Sequence, residues 1–361
     1  MQRLPHLPDG LTADFLTDLL HGEGILPASS CVARVECEQI ADGTGMMAEL
    51  ARLTLRYEGD PGAAPPTFIA KYSSRNETNR AIALQYNLPE RETRFMSAVA
   101  PRSSVRTPRV YYCGLDDDRF LILMEDLSAY RVGSQVEGAT LEQSELAIDE
   151  LAKLHAQFWN RAAELDWLPG ISNSYHADNM KTLAGVGFDG LIAKFGAFVP
   201  TPLSGYRDTF LAAIDVLQQR MDTAPVTLCH GDFRMENLLF GCRPGHHPIV
   251  VLDWQGPIRG RGMNDVALFL GQSTRTEVRR EHERALLGRY VDGLEAGGVK
   301  GLDRDAVWDD YRQALLYNWL YVSVVAGTLD TSHEKSYAWM AQMVARQAAV
   351  SEDLDVFALL R

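Results

Sequence analysis

No apolar run in this chain approaches the ~20 consecutive residues that a membrane-spanning helix requires, although it is 361 residues long. The amino-terminal stretch Met1 to Gly10 lacks the long apolar centre of a secretory signal. A cytosolic, membrane-free protein is therefore expected. Cys-x-x-Cys pairs are missing: the five cysteines, Cys31, Cys37, Cys113, Cys229 and Cys242, are scattered and odd in number. That pattern argues against a disulfide scaffold and against structural zinc; Cys113 and Cys229, in or beside apolar runs, read as buried thiols. Positive charge is scarce. Lys and Arg total 35 against 48 Asp and Glu, a net charge of −13, which excludes nucleic acid as the expected partner. An acidic surface suits a cationic ligand, but it is also ordinary for a soluble protein. Internal repeats and low-complexity segments are absent.

What is present is a strand-rich first third followed by helices. Residues 11–20 place Phe15, Leu16, Leu19 and Leu20 on one helical face, with Asp9 and Thr12 as candidate caps. Residues 31–57 read as a hairpin turning at Asp42-Gly43-Thr44-Gly45; in its second half Leu53, Leu55 and Tyr57 alternate with Arg52, Thr54 and Arg56. Residues 67–72 form a third strand. Residues 77–99 are helical, interrupted at Pro89. Two further strands, 110–113 and 120–124, flank an Asp116-Asp117-Asp118 turn. Thr140 to Gln143 is a capping box opening a helix that carries Leu146, Leu151, Leu154, His155 and Phe158. Helical periodicity returns at about 206–221, 305–325 and 336–350. The expected class is α+β.

The densest chemical signal lies at Leu228-Cys229-His230-Gly231-Asp232-Phe233-Arg234-Met235-Glu236-Asn237, followed by Val250-Val251-Leu252-Asp253-Trp254-Gln255. Each loop follows an apolar run. A Gly-Asp after an apolar run usually marks only a turn; Asp-x-x-x-x-Asn followed by an apolar strand and Asp-Trp is a much rarer combination. Phosphoryl transfer needs an acceptor hydroxyl aligned with a γ-phosphate and cations on the phosphate oxygens. Asp232 is the candidate catalytic base. Asn237, five positions on, and Asp253, from the next strand end, are candidate Mg²⁺ ligands, a set that satisfies magnesium's preference for a few oxygen ligands beside phosphate.

These residues resemble the aminoglycoside phosphotransferase family, small-molecule kinases of protein-kinase-like fold. The Asp-Trp-Gln and Arg259-Gly260-Arg261-Gly262 segments look closest to its ecdysteroid-kinase-like and bacterial members. Protein kinases more typically carry Arg where Gly231 stands and Phe-Gly in place of Trp254-Gln255. The resemblance implies two lobes, a nucleotide-binding one at 1–127 (five strands plus helices) and a helical one at 128–361. It implies that Asp265 opens a helix and braces the catalytic loop, and that Lys71, ending Phe68-Ile69-Ala70-Lys71, holds nucleotide phosphates with Glu92 as its anionic partner. Otherwise a strand lysine faces solvent, Glu90 is the alternative partner, and the helix is a solvated face of mixed charge. Gly43, Thr44 and Gly45 are candidate phosphate contacts or a plain hairpin tip. Glu125 and Leu127 stand where the family's lobe connector offers main-chain groups to the base. His155 reads as a core histidine, His230 as an orienter of the loop, and His246 and His247 as exposed.

The expected activity is transfer of phosphate from ATP, or GTP, with Mg²⁺ to a hydroxyl of a small molecule. A choline, sugar or homoserine kinase is the rival within the class. A nucleotide-binding pseudokinase and a metal-dependent hydrolase are rivals outside it. The short path from Asp253 to Asp265 leaves little room for a protein kinase's activation segment.

Overall fold

The computed structural model describes residues 4–5, 7–40, 47–117 and 119–361. The candidate phosphate contacts Gly43, Thr44 and Gly45 lie outside the described residues. The chain divides into two compact units. The first comprises Met1–Arg102, Thr107–Tyr130 and Asp253–Gln255; the second comprises Ser103–Arg106, Arg131–Leu252 and Gly256–Arg361.

The first unit is built on an antiparallel sheet. Strands β1 (Cys31–Ile40), β2 (Ala48–Glu58), β3 (Thr67–Ser73), β4 (Val110–Asp116) and β5 (Arg119–Glu125) lie in the order β1-β2-β3-β5-β4. Period-two alternation divides its side chains. One face buries Leu53, Leu55, Phe68, Ala70, Tyr72, Leu121 and Leu123 against helix α1 (Ala13–Gly22), which contributes Leu16, Leu19 and Leu20. Thr12 caps α1, its hydroxyl accepting from the Phe15 amide at 3.2 Å. The register Leu50↔Lys71↔Ile122 and Arg52↔Ile69↔Met124 puts these six residues on the opposite face.

The helical stretch after β3 breaks earlier than expected. Helix α2 (Glu77–Gln85) ends before Asn87, whose φ of +53° reverses the chain. Pro89 lies in the first turn of α3 (Leu88–Arg94). A proline there loses no intrahelical hydrogen bond, so it starts a helix rather than interrupting one. The chain continues through a π-helical turn, Phe95–Val99.

The second unit is mostly helical. A short strand, β6 (Arg131–Val132), precedes α4 (Leu141–Gln157), whose Thr140 and Gln143 form the reciprocal capping box. Helices α5 (Ser174–Phe195), α6 (Thr201–Gly205) and α7 (Arg207–Met221) follow. Four three-residue strands come next: β7 (Thr227–Cys229), β8 (Leu238–Phe240), β9 (Ile249–Val251) and β10 (Ile258–Gly260). β6, β8 and β9 pair in that order, and β7 pairs with β10. Then come α8 (Met263–Leu268), a π-helical turn (Phe269–Ser273), α9 (Thr276–Ala296), α10 (Arg304–Thr328) and α11 (Glu334–Asp353).

The unpredicted helix α5 crosses α10 closely. A Cβ on Gly187 would lie 2.2 Å from the Ser323 carbonyl oxygen, and one on Gly190 would lie 2.3 Å from that of Gly327. Those glycines let two backbones meet, and they also dilute the apolar pattern that would mark a helix in the sequence. Among the described residues no helix is long and apolar enough to cross a membrane. Cys229 is buried, whereas Cys113 is only half-buried.

Candidate active site

In the first unit three ionic side chains meet. Lys71 Nζ lies 2.7 Å from Glu92 Oε1 and 2.7 Å from Asp253 Oδ1. Lys71 comes from β3, Glu92 from α3, and Asp253 from the chain just past β9. Burial alone would discharge the lysine, but the carboxylates of Asp253 and Glu92 outweigh it and hold the ammonium protonated. Burial pushes the Glu92 carboxyl up; Lys71 opposes that rise and Asp253 adds to it. Glu90, the alternative partner, instead pairs with Arg94 one turn on, half-exposed.

Asp253 adopts φ +59°, a left-handed conformation that Asp tolerates better than most side chains. Its second oxygen accepts from Gln255 Nε2 at 3.3 Å. Trp254 is fully buried and stacks on Phe95 with centroids 3.8 Å apart. Phe95 opens the π-helical turn, so that turn carries the ring on which Trp254 packs. Glu125 closes β5, its carboxylate accepting from the Arg109 amide at 3.1 Å. Leu127 is buried two residues later, its carbonyl accepting from Tyr130.

In the second unit the loop between β7 and β8 presents Asp232. Asn237 Nδ2 donates to Asp232 Oδ2 at 3.0 Å and to its carbonyl at 2.8 Å. Arg234 Nε stands 3.3 Å from both carboxylate oxygens. Tyr321 Oη, from α10, donates to Oδ1 at 2.6 Å. Burial first, then the Asp232 charge, raises the Tyr321 phenol well above its usual range, so it remains a donor. Arg234 also pairs with Glu236 and lies 4.7 Å over the Trp339 ring of α11. Neither Tyr321 nor Trp339 carries a sequence motif. Both belong to the helical carboxyl-terminal stretch, and only their contacts reveal them.

The loop is held from beneath by Asp265 of α8. Its carboxylate accepts from the His230 amide at 2.6 Å and from the Gly231 amide at 3.0 Å. His155 Nε2 donates to the same carboxylate at 3.3 Å, and His155 Nδ1 meets Tyr290 Oη at 2.8 Å. His230 Nδ1 accepts from the Asp232 amide, so its Nε2 carries the hydrogen donated to the Leu252 carbonyl at 2.8 Å. Gly231 has φ +82°, and a Cβ there would lie 2.2 Å from the Gly256 carbonyl oxygen. The arginine usual in protein kinases has no room at this position. Ligand atoms of His155, Cys229 and Asp265 lie within 4.8 Å of one another. The Cys229 thiol, however, donates to the carbonyls of Gly260 and Arg261, and the other two are engaged as described. The trio is a hydrogen-bonded brace. His247 is exposed and His246 half-buried in the β8–β9 loop.

Asp253 in the first unit and Asn237 in the second each offer an oxygen donor of the hard kind that magnesium takes. The Asn237 amide nitrogen is committed to Asp232, which turns its carbonyl oxygen the other way.

The profile of the ecdysteroid kinase-like family matches residues 42–300. A search of curated protein sequences finds no match. Among solved structures, a microcompartment-associated aminopropanol kinase superposes with TM-score 0.51 at 14% identity, covering 96% of this chain and 100% of that one. Wild-type aminoglycoside 2'-phosphotransferase-IIIa, in complex with GDP, superposes with TM-score 0.51 at 12% identity, covering 91% and 93%. These likenesses establish the α+β, protein-kinase-like fold. With the profile spanning more than half its length, the chain belongs to the ecdysteroid kinase-like family, small-molecule kinases acting on hydroxyl groups.

Proposed function

We propose that this protein transfers the γ-phosphate of ATP, or GTP, to a hydroxyl of a small molecule with Mg²⁺. The observation that carries the reading is Lys71 held at 2.7 Å from both Glu92 and Asp253. A buried ammonium kept charged by two carboxylates is suited to gripping phosphate oxygens. Asn237 and Asp253 would hold the magnesium, whose chemistry there is to neutralise phosphate charge. Asp232 takes the proton of the acceptor hydroxyl as its oxygen bonds to the γ-phosphorus. The bond from that phosphorus to the β,γ-bridging oxygen breaks, and the nucleoside diphosphate departs. Asn237, Arg234 and Tyr321 fix the carboxylate for this task. Glu125 and Leu127 offer main-chain groups to the base. Units near 1–127 and 128–361 divide the labour between nucleotide and acceptor.

A pseudokinase reading is disfavoured because Lys71, Asp232, Asn237 and Asp253 are all present. Nucleotide consumption screened against aminoglycosides, macrolides, choline-like amines, sugars and hydroxysteroids tests the activity and the acceptor class together. With the acceptor found, Asp232→Ala abolishes turnover and retains nucleotide binding, whereas Asp253→Ala loses magnesium-dependent nucleotide binding as well. Near-normal turnover by Asp232→Ala would refute the assignment.

A further inference from the structure

The sheet face that carries Lys71 also carries an arginine. Arg52 on β2 pairs with Ile69 on β3, and Ile69 pairs with Met124 on β5; Lys71 stands in the next row, with Leu50 and Ile122. Rows of side chains on one face are separated by two residues, roughly 7 Å. Arg52 is thus displaced from the phosphate-gripping lysine toward the end of β5, where Glu125 and Asp126 lead out of the sheet.

Arg52 is also fixed. Its Nε donates to Asp126 Oδ2 at 3.0 Å, while Asp126 Oδ1 accepts from the Ser128 amide at 3.0 Å. Asp126 is mostly buried in this pair, whereas the Arg52 side chain keeps 30% of its surface open. Both carboxylate oxygens are therefore engaged, and the carboxylate serves the arginine. A guanidinium tethered at its Nε edge keeps a planar π-face, and such planes stack on aromatic rings.

From this juxtaposition we infer that Arg52, held flat by Asp126 and flanked by Ile69 and Met124, forms the surface on which the purine base of the nucleotide stacks. The inference rests on the phosphotransferase reading and adds a residue that no motif identifies. The Asp126 charge offsets that of the guanidinium, so the surface attracts the ring without adding a net cation for the phosphates. Lysine cannot substitute, because an ammonium has no plane.

The test separates base from phosphate. Calorimetric titration of the full chain with MgATP and with magnesium tripolyphosphate compares a nucleotide with a ligand that lacks a base. Arg52→Leu is expected to weaken MgATP binding roughly 5- to 30-fold and to leave tripolyphosphate binding unchanged. Arg52→Lys, which retains the charge and most of the stem, is expected to show the same selective loss. Equal losses for both ligands in Arg52→Leu would make Arg52 a phosphate contact and overturn the inference, as would unaltered MgATP affinity in either variant. Failure of the unsubstituted protein to bind either MgATP or MgGTP would instead remove the phosphotransferase reading, and this inference with it.

Discussion

Tyr321 donates its hydroxyl to Asp232 Oδ1 at 2.6 Å across 89 residues of sequence. A tyrosine from α10 therefore holds one oxygen of the proposed base while Asn237 holds the other at 3.0 Å. A hydrogen bond to a charged group contributes ~1.5–3 kcal/mol. Tyr321→Phe keeps the ring and removes the donor. It is expected to lower kcat by roughly tenfold or more without changing nucleotide affinity. Steady-state turnover beside a nucleotide titration measures this; unchanged kcat would leave Tyr321 a packing residue.

Lys71 separates two carboxylates, so its loss costs more than a ligand contact. Lys71→Met leaves Glu92 and Asp253 facing each other in a buried site. The expected destabilisation is ~3–5 kcal/mol, with loss of nucleotide binding. Glu92→Gln retains a hydrogen-bonding partner for the lysine and should cost markedly less. Denaturant unfolding of both variants gives the comparison, and equal costs would argue against the ionic account.

Asp265 accepts two consecutive backbone amides beneath the proposed catalytic loop. In Asp265→Asn the amide nitrogen must face a backbone N–H, leaving one donor unmatched at ~1–3 kcal/mol. Turnover should fall while MgATP still binds. Full turnover in this variant would show that the loop holds its shape without the brace.

Asp353 on α11 pairs with both Arg279 and Arg280 of α9. The Arg280 hydrogen bond leads in holding its carboxyl below the usual 3.8; burial opposes this and Arg279 assists. A depressed folded-state pKa gives stability that is present above the ordinary value and is lost as pH falls through the folded one. Asp353→Asn should therefore destabilise the protein by ~1–3 kcal/mol at pH 7. The gap from the unsubstituted protein should close as the pH falls below 3.8. A gap that persists in acid would assign the effect to packing.

The parts of the fold legible in the sequence are those whose cause is local. The alternation of Leu53 and Leu55 with Arg52 and Thr54 follows from strand geometry, and Thr140 with Gln143 from helix-end chemistry. The loops around Asp232 and Asp253 stand out because several polar residues are fixed within a few positions of each other. Helix α5 was illegible because its glycines serve a contact with α10, remote in sequence. Tyr321 and Trp339 were hidden for the same reason: helical periodicity explains an aromatic residue as core, and nothing nearby marks which one turns toward Asp232. Pro89 misled because its effect depends on whether it falls inside or at the start of a helix, which Asn87 decides.

The chain leaves the second unit at Leu252, contributes Asp253, Trp254 and Gln255 to the first, and returns at Gly256. A fragment ending near residue 130 would contain Lys71 and Glu92 but neither the second carboxylate nor the indole that packs on Phe95. Swapping the amino-terminal portion between relatives by a single crossover would import a lysine with a foreign counter-charge and a foreign aromatic partner. Chimeras that carry residues 253–255 along with the amino-terminal segment are the ones that keep this unit's chemistry whole.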